Sequence, residues 1–561
     1  MPASPAPPDS AAPWPADSRP AAAADPDRAG AAGWLRELES AVWANLPAFL
    51  LQQRWYPAKD AGEPTVAPRA IVPLAVAGIP AAASVWRVQP PGRAPLQLFV
   101  ALALVPEGAA APAQVIARLP ASGTGGEAQV VVEGFSVDAY VRAWVDLLLQ
   151  QRRDGRGAGL RCGRTRELPA AGLQPGGGWT IRRSRAEQSN TSIRVGDGAI
   201  MKVIRKLEEG PHPELEVGRF LTDDAGFAST PAMLAWADLD LAAEGGGDAS
   251  LTLCVMQSFV ANDGDAWDWV LRQLAAAERT GGDEGGGESS ESNGGAAALA
   301  GATQWLARLG ERTAQMHRAF GIATSDPGFA PEPVRDEDLQ AWTAAAHAMA
   351  RRALDGLAAG AANLEPAARA LYCSLQEQRG RLAERLDDLL KAPAWHFSKT
   401  RHHGDYHLGQ VLVADGDAVI VDFEGEPMRP LAERRAKHAA PRDVAGLLRS
   451  VSYAAAAAVR ALPDDLPADR RQQTQRRLDA WERDASARFL DAYLQAAQGM
   501  PGCPSDRPSA LRLIRFFMLE KSLYEIAYEL ANRPTWVDIP LRGVLQLLQD
   551  DGAAVAGGAQ S

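Results

Sequence analysis

His403-Gly404-Asp405-Tyr406-His407-Leu408-Gly409-Gln410, followed by Val421-Asp422-Phe423-Glu424-Gly425-Glu426-Pro427, decides the fold of this chain. An acid comes first, an oxygen ligand five positions later, and a second acid beyond a short apolar hairpin turning at Ala414-Asp415-Gly416-Asp417. Phosphoryl transfer from ATP requires that set: one carboxylate to aim the attacking hydroxyl and accept its proton, and two oxygen ligands to hold magnesium against the phosphates. Asp405 is the expected catalytic base, or at least the group that aims the acceptor hydroxyl, acting mainly by positioning. Gln410 and Asp422 are the expected Mg2+ ligands, and His403 is expected to brace the loop by hydrogen bonds. A zinc site at His402, His403 and His407 is disfavoured, because Gly404 and Gly409 oppose the helix it would need and no cysteine lies nearby.

The chain is too long, at 561 residues, for one compact core. Its 58 basic and 69 acidic side chains leave a net charge of −11, a sign that repels nucleic acid and anionic membranes. Cys162, Cys254, Cys373 and Cys503 form no C-x-x-C pair, which suits free thiols in a reducing cytoplasm. The Ala/Pro-rich start lacks the basic and apolar blocks of an export signal, and no apolar run is long enough to span a membrane. A soluble, cytoplasmic protein is the expectation.

The hydrophobic pattern divides the chain into a disordered tail (1–32), an N-terminal cap (33–155), a β-rich nucleotide lobe (156–262) and a helical catalytic lobe (263–550), with a second tail at 551–561. A Gly/Glu/Ser-rich stretch near 281–299 reads as a flexible insertion. In the cap, apolar residues recur at helical spacing from Trp34 to Leu50, and β-like runs follow at 70–77, 84–88 and 96–105. In the second lobe, strands are expected at 179–184, 191–195, 199–204 and 251–259, with a helix starting near Pro213. The expected fold is α+β, bilobal and protein-kinase-like.

Met201-Lys202-Val203-Ile204 places a lysine within an apolar strand, which is costly unless the charge is paired. In kinases such a lysine holds the α- and β-phosphates and is braced by a helix glutamate. Glu216 is the first candidate brace and Glu214 the second; a solvated strand-edge lysine is the alternative. No G-x-G-x-x-G precedes Lys202. The polar stretch Gln188, Ser189, Asn190, Thr191 and Ser192 is the candidate phosphate loop, and Gln257, Phe259 and Val260 are the candidate adenine hinge.

Near the C-terminus, helical spacing puts Lys521, Tyr524, Glu525 and Tyr528 on one face. Charges mixed with phenols hydrogen-bond sugar hydroxyls and stack on pyranose rings, although an exposed amphipathic helix has the same pattern. Glu424 and His407 complete the expected acceptor site. Arg429, Arg434 and Arg442 are left between substrate contact and structural pairing, with Asp443 as a further structural anchor.

Taken together, E-Q-S-N-T-S-I, M-K-V-I-R-K-L, H-G-D-Y-H-L-G-Q-V-L, V-D-F-E-G-E-P-M-R-P-L-A-E-R-R, P-R-D-V-A-G-L-L-R-S and E-K-S-L-Y-E-I-A-Y-E-L-A-N-R-P-T-W resemble bacterial maltokinase. So does the early L-P-A-F-L-L-Q-Q-R-W-Y-P-A-K. The resemblance implies ATP-dependent phosphorylation of maltose at its anomeric hydroxyl, giving maltose 1-phosphate for α-glucan synthesis. It also implies a fold like aminoglycoside phosphotransferases and cooperation with trehalose synthase, here as a separate chain. A related kinase acting on glucosamine or an aminoglycoside is the alternative.

Overall fold

The structure, a computed structural model, describes residues 29–76, 78–119, 128–150, 159–184, 189–242, 248–279, 290–391 and 395–549. Gln188, most of the first expected tail, all of the second and the first half of the expected insertion lie outside them. The helix Ser290–Phe320 begins inside the stretch read as an insertion, so its last part is helical rather than loop. Among the described residues no helix is long and apolar enough to cross a membrane.

The chain divides into two units, Met1–Ala143 with Arg153–Leu160, and Trp144–Arg152 with Arg161–Ser561. In the first, the helix Ala29–Gln52 lies on an antiparallel sheet ordered Thr65–Val76, Ile79–Gln89, Leu96–Pro106, Gln129–Glu133, Val115–Leu119. Val42, Leu46, Phe49 and Leu50 recur on one helical face and pack on Trp86, Leu98, Val100, Leu102 and Val131. The helix stops at Gln52, and Trp55 and Tyr56 just beyond it are buried in the same core.

The second unit opens with a sheet ordered Gly159–Arg164, Met233–Ala242, Asp248–Ser258, Ala199–Val203, Thr191–Val195, Ile181–Arg183. Side chains alternate across a strand, so Ala199, Met201 and Val203 fill the core while Ile200 and Lys202 project from the other face. Lys202 stands in register with Val255 and Ser192 on its two neighbours. The strand Met233–Ala242 is an element the sequence reading lacked. Its Asp238 is buried and accepted there because Thr252 donates to it at 2.8 Å and Arg161 pairs with it at 3.0 Å.

The remainder is helical apart from two small strand pairs, Glu332–Pro333 with Ser398–Lys399 and Val411–Ala414 with Asp417–Ile420. The second pair sits in an apolar core with Leu306, Leu309, Phe320, Val444 and Leu447. Helix Pro441–Arg460 passes directly under the His403–Gln410 loop: a Cβ at Gly446 would meet the Tyr406 carbonyl oxygen at 2.7 Å. A second helical core, including Leu339, Leu375, Phe517 and Leu541, carries the helix Arg507–Asn532.

Candidate active site

The hairpin turns at Asp415 and Gly416, with φ of 49° and 70°, the left-handed pair that a two-residue turn favours. Beyond the second strand, Asp422 also has positive φ, 68°. A non-glycine residue there is costly and persists only when its surroundings hold it. Two contacts do so: Lys202 Nζ reaches Asp422 Oδ1 at 2.7 Å, and Gln410 Nε2 donates to Oδ2 at 3.0 Å. Burial works to raise this carboxyl, but Lys202 together with His403 and Gln410 holds its pKa down at about 2.

Lys202 also pairs with Glu424 at 2.8 Å and stands 4.0 Å from Glu214. Glu424 Oε1 accepts from Asn190 Nδ2 at 3.0 Å, so this acid bridges the small-lobe loop and the lysine. The sequence expectation placed this residue at the acceptor; the structure sets it against Lys202 and Asn190. The brace is corrected as well. Residues two apart on a helix leave opposite faces, and Glu214 faces Lys202 and Gln257 Nε2 (3.0 Å) while Glu216 pairs with Arg401 and Arg435. Burial, reinforced by Asp422 and Glu424 against the pull of Lys202, raises Glu214 to about 7.

The oxygens of Glu214, Asp422 and Glu424 lie within 4.8 Å of one another. Hard carboxylate oxygens beside the Gln410 amide suit magnesium or calcium rather than zinc. The donor set therefore fits the expected cation.

The rest of the nucleotide side is mixed. Thr191 and Ser192 belong to the strand Thr191–Val195 rather than to a loop, and Thr191 Oγ1 accepts from Arg205 Nε at 2.9 Å. Ser189 and Asn190 precede it, with Asn190 buried. At the expected hinge the Gln257 amide is committed to Glu214, and the Phe259 N–H to the Gly198 carbonyl at 3.0 Å. The Phe259 ring lies under the Arg194 guanidinium, 3.8 Å from its centroid, and Val260 offers its carbonyl to Asn262.

The His403–Gln410 loop is held from below. Asp443 accepts from the His403 N–H at 2.7 Å and the Gly404 N–H at 3.0 Å, and its Oδ2 also meets His317 Nε2 at 3.1 Å. Buried His403 reaches the Val421 carbonyl at 2.9 Å, tying the two motif halves together. Gly404 has φ of 85°, a left-handed conformation that glycine adopts without strain. Asp443 was singled out in the sequence only as an anchor for its own helix; its role under the loop depends on a fold contact that no local pattern encodes.

Asp405 opens onto a small cavity of about 40 Å³ lined also by Glu426, Arg429, Arg442, Asp443, Glu520, Lys521 and Tyr524. Glu426 pairs with Arg429 at 2.5 Å and Lys521 at 3.2 Å, and Arg442 faces Glu520 at 3.4 Å. Burial works against the Lys521 charge, but Glu426 and then Asp405 and Glu525 hold its pKa above the ordinary value. The Lys521 ammonium also lies 4.8 Å from the Tyr524 ring centroid.

Besides Glu424, three expected acceptor residues stand apart from that cavity lining. Glu525 is buried against Arg449 at 2.8 Å, because it falls on the core side of its helix. Exposed Tyr528 stacks one turn beyond Tyr524, with centroids 6.4 Å apart. His407 turns its Nδ1 to its own loop, accepting from the Gly409 N–H at 3.1 Å.

No family model matches the chain. Among curated proteins it is 28% identical over 370 residues to a glucosamine kinase of Streptacidiphilus jiangxiensis, covering 65% of this chain and 72% of that protein. It is 26% identical over 387 residues to a glucosamine kinase of Mycolicibacterium smegmatis, covering 67% and 83%. A solved glucosamine kinase in complex with glucosamine, ADP and inorganic phosphate superimposes with a TM-score of 0.59 at 23% identity, over 91% of this chain and 99% of that one. The mixed α/β fold, a β-sheet lobe joined to a large helical portion, is thus shared with a sugar kinase, as the motif spacing predicts.

Proposed function

We propose that this chain is an ATP-dependent sugar kinase. The observation that carries the reading is the convergence of Lys202, Gln410, Asp422 and Glu424, with Asp405 of the same loop opening onto a cavity lined by charged side chains. Both named relatives being sugar kinases supports it. Lys202 would hold the nucleotide phosphates, and Gln410 and Asp422, with Glu424 beside them, would hold a magnesium ion. When bound, that ion neutralises charge on the transferring phosphoryl group. Asp405 orients the acceptor hydroxyl and takes its proton, while Lys521, Tyr524 and Glu426 position the sugar.

For the acceptor we propose maltose, phosphorylated at the anomeric hydroxyl. The motif resemblance to maltokinase supports it, and so does Lys521, a cation among the lining residues that would meet an uncharged sugar more readily than an ammonium. The second reading, glucosamine, is favoured by the names of both curated relatives. Maltose 1-phosphate would feed α-glucan synthesis, with trehalose synthase as a partner in a separate chain. Incubation with ATP, magnesium and, in turn, maltose, glucose, glucosamine and kanamycin tests the reading, with products identified by phosphorus NMR. An anomeric phosphate on maltose is expected. Preference for an amine-bearing acceptor replaces maltose by the second reading, and no transfer to any sugar defeats both.

A further inference from the structure

We propose that Glu208, Glu216, Arg401, Arg434 and Arg435 form a built-in clamp that holds the helix Pro213–Arg219 and the Asp422–Glu424 segment in one register, as positioning residues for phosphoryl transfer. This rests on the kinase reading above. The two acids of the helix divide the work. Glu214 faces Lys202, whereas Glu216 crosses to the helical part of the site and meets Arg401 and Arg435, the latter at 2.9 Å. Arg401 directly precedes the His402-His403 pair, is 2% exposed, and stands over the Phe329 ring at 5.1 Å. The helix carrying Glu214 is therefore tied to the chain that enters the catalytic loop.

Arg434 supplies the second tie. Its guanidinium pairs with Glu208 before the helix, and also donates to the carbonyls of Glu424 and Arg429, each at 3.2 Å. Its aliphatic stem covers Gly425, where a Cβ would meet it at 3.4 Å. Neighbouring arginines thus grip the acidic segment with one residue and the small lobe with both. Arginine suits this task because its rigid fork stays charged and fixes the direction of each bond. Such buried pairs add little net stability but are disruptive to break from one side. In protein kinases, phosphorylation of the activation loop controls where the equivalent helix sits. Here the ion pairs come with the folded chain, so the helix needs no covalent switch.

Glu216→Gln and Arg435→Gln test the clamp. Each should lower kcat by about 10- to 100-fold with the sugar KM unchanged, and the double variant should be no worse than either single one. Arg435→Lys should recover part of the loss. Amide hydrogen exchange should quicken in 213–219 and 422–426 together. Arg435 is one-third exposed, so its variants keep the test open if Glu216→Gln does not fold. Unchanged kcat, losses that multiply in the double variant, or exchange altered in neither or only one of the two segments would overturn the proposal. A wild-type chain that transfers no phosphate defeats the kinase reading instead, and the exchange measurement still decides the clamp.

Discussion

The two sides of the candidate site manage charge differently. On the nucleotide side one ammonium, Lys202, faces Asp422 at 2.7 Å, Glu424 at 2.8 Å and Glu214 at 4.0 Å. On the acceptor side Glu426 has two cations, Arg429 and Lys521, and Glu520 has Arg442. Surplus negative charge in a partly buried cluster favours a divalent cation and lysine-bound phosphates. A balanced set of donors and acceptors favours a ligand that offers hydroxyls. Asp405 belongs to the second set, whose lining mixes four acids with three cations.

The largest effect that could break this comparison is at Asp405. Asp405→Asn keeps the shape and removes the proton acceptor, so kcat should fall by about 10²- to 10⁴-fold, while ATP binding, read by nucleotide titration, stays unchanged. Near-normal turnover would mean the acid does not aim the hydroxyl.

Next is Asp443, which lines the acceptor cavity and holds the loop. Burial opposes its ionisation, but the hydrogen bond from His317 and the proximity of His402 and His403 hold its carboxyl well below the ordinary value. A folded-state pKa below the unfolded one of about 3.9 stabilises the protein above that pH and is lost as pH falls through it. Asp443→Asn should cost about 2–4 kcal/mol near pH 7, measured by urea unfolding, and the gap to wild type should shrink below about pH 4. A gap that stays constant with pH would show that the charge is not what holds the loop.

The smallest effect sharpens the division itself. Lys521→Met should raise the KM for the sugar by about tenfold and leave the KM for ATP alone. An equal rise in both would show that the two sides do not act separately.

Much of this was legible in residue order, and the misreadings share one cause. Alternation identified Lys202 as a charged residue on an apolar strand, Asp-Gly marked the hairpin turn, and the acid–glutamine–acid spacing marked the metal side. Glu216 and Glu214 were exchanged, because periodicity says that they diverge but not which one meets the sheet. Glu525 looked like a sugar ligand, because a helical wheel cannot tell cavity from core; its guanidinium partner, Arg449, comes from a distant helix. The partners of Glu424, Asn190 and Lys202, come from the small lobe, which no local pattern near residue 424 announces.

Residue order by itself determined most of the secondary elements and the hairpin at 411–420, because each depends on spacing within a few turns or strands. Tertiary structure alone decided which acid meets which cation. Ion pairs such as Glu216–Arg401 and Arg434–Glu208 join residues far apart in the chain, and a carboxylate's partner is set by which side of its helix or loop the folded core leaves facing the cleft.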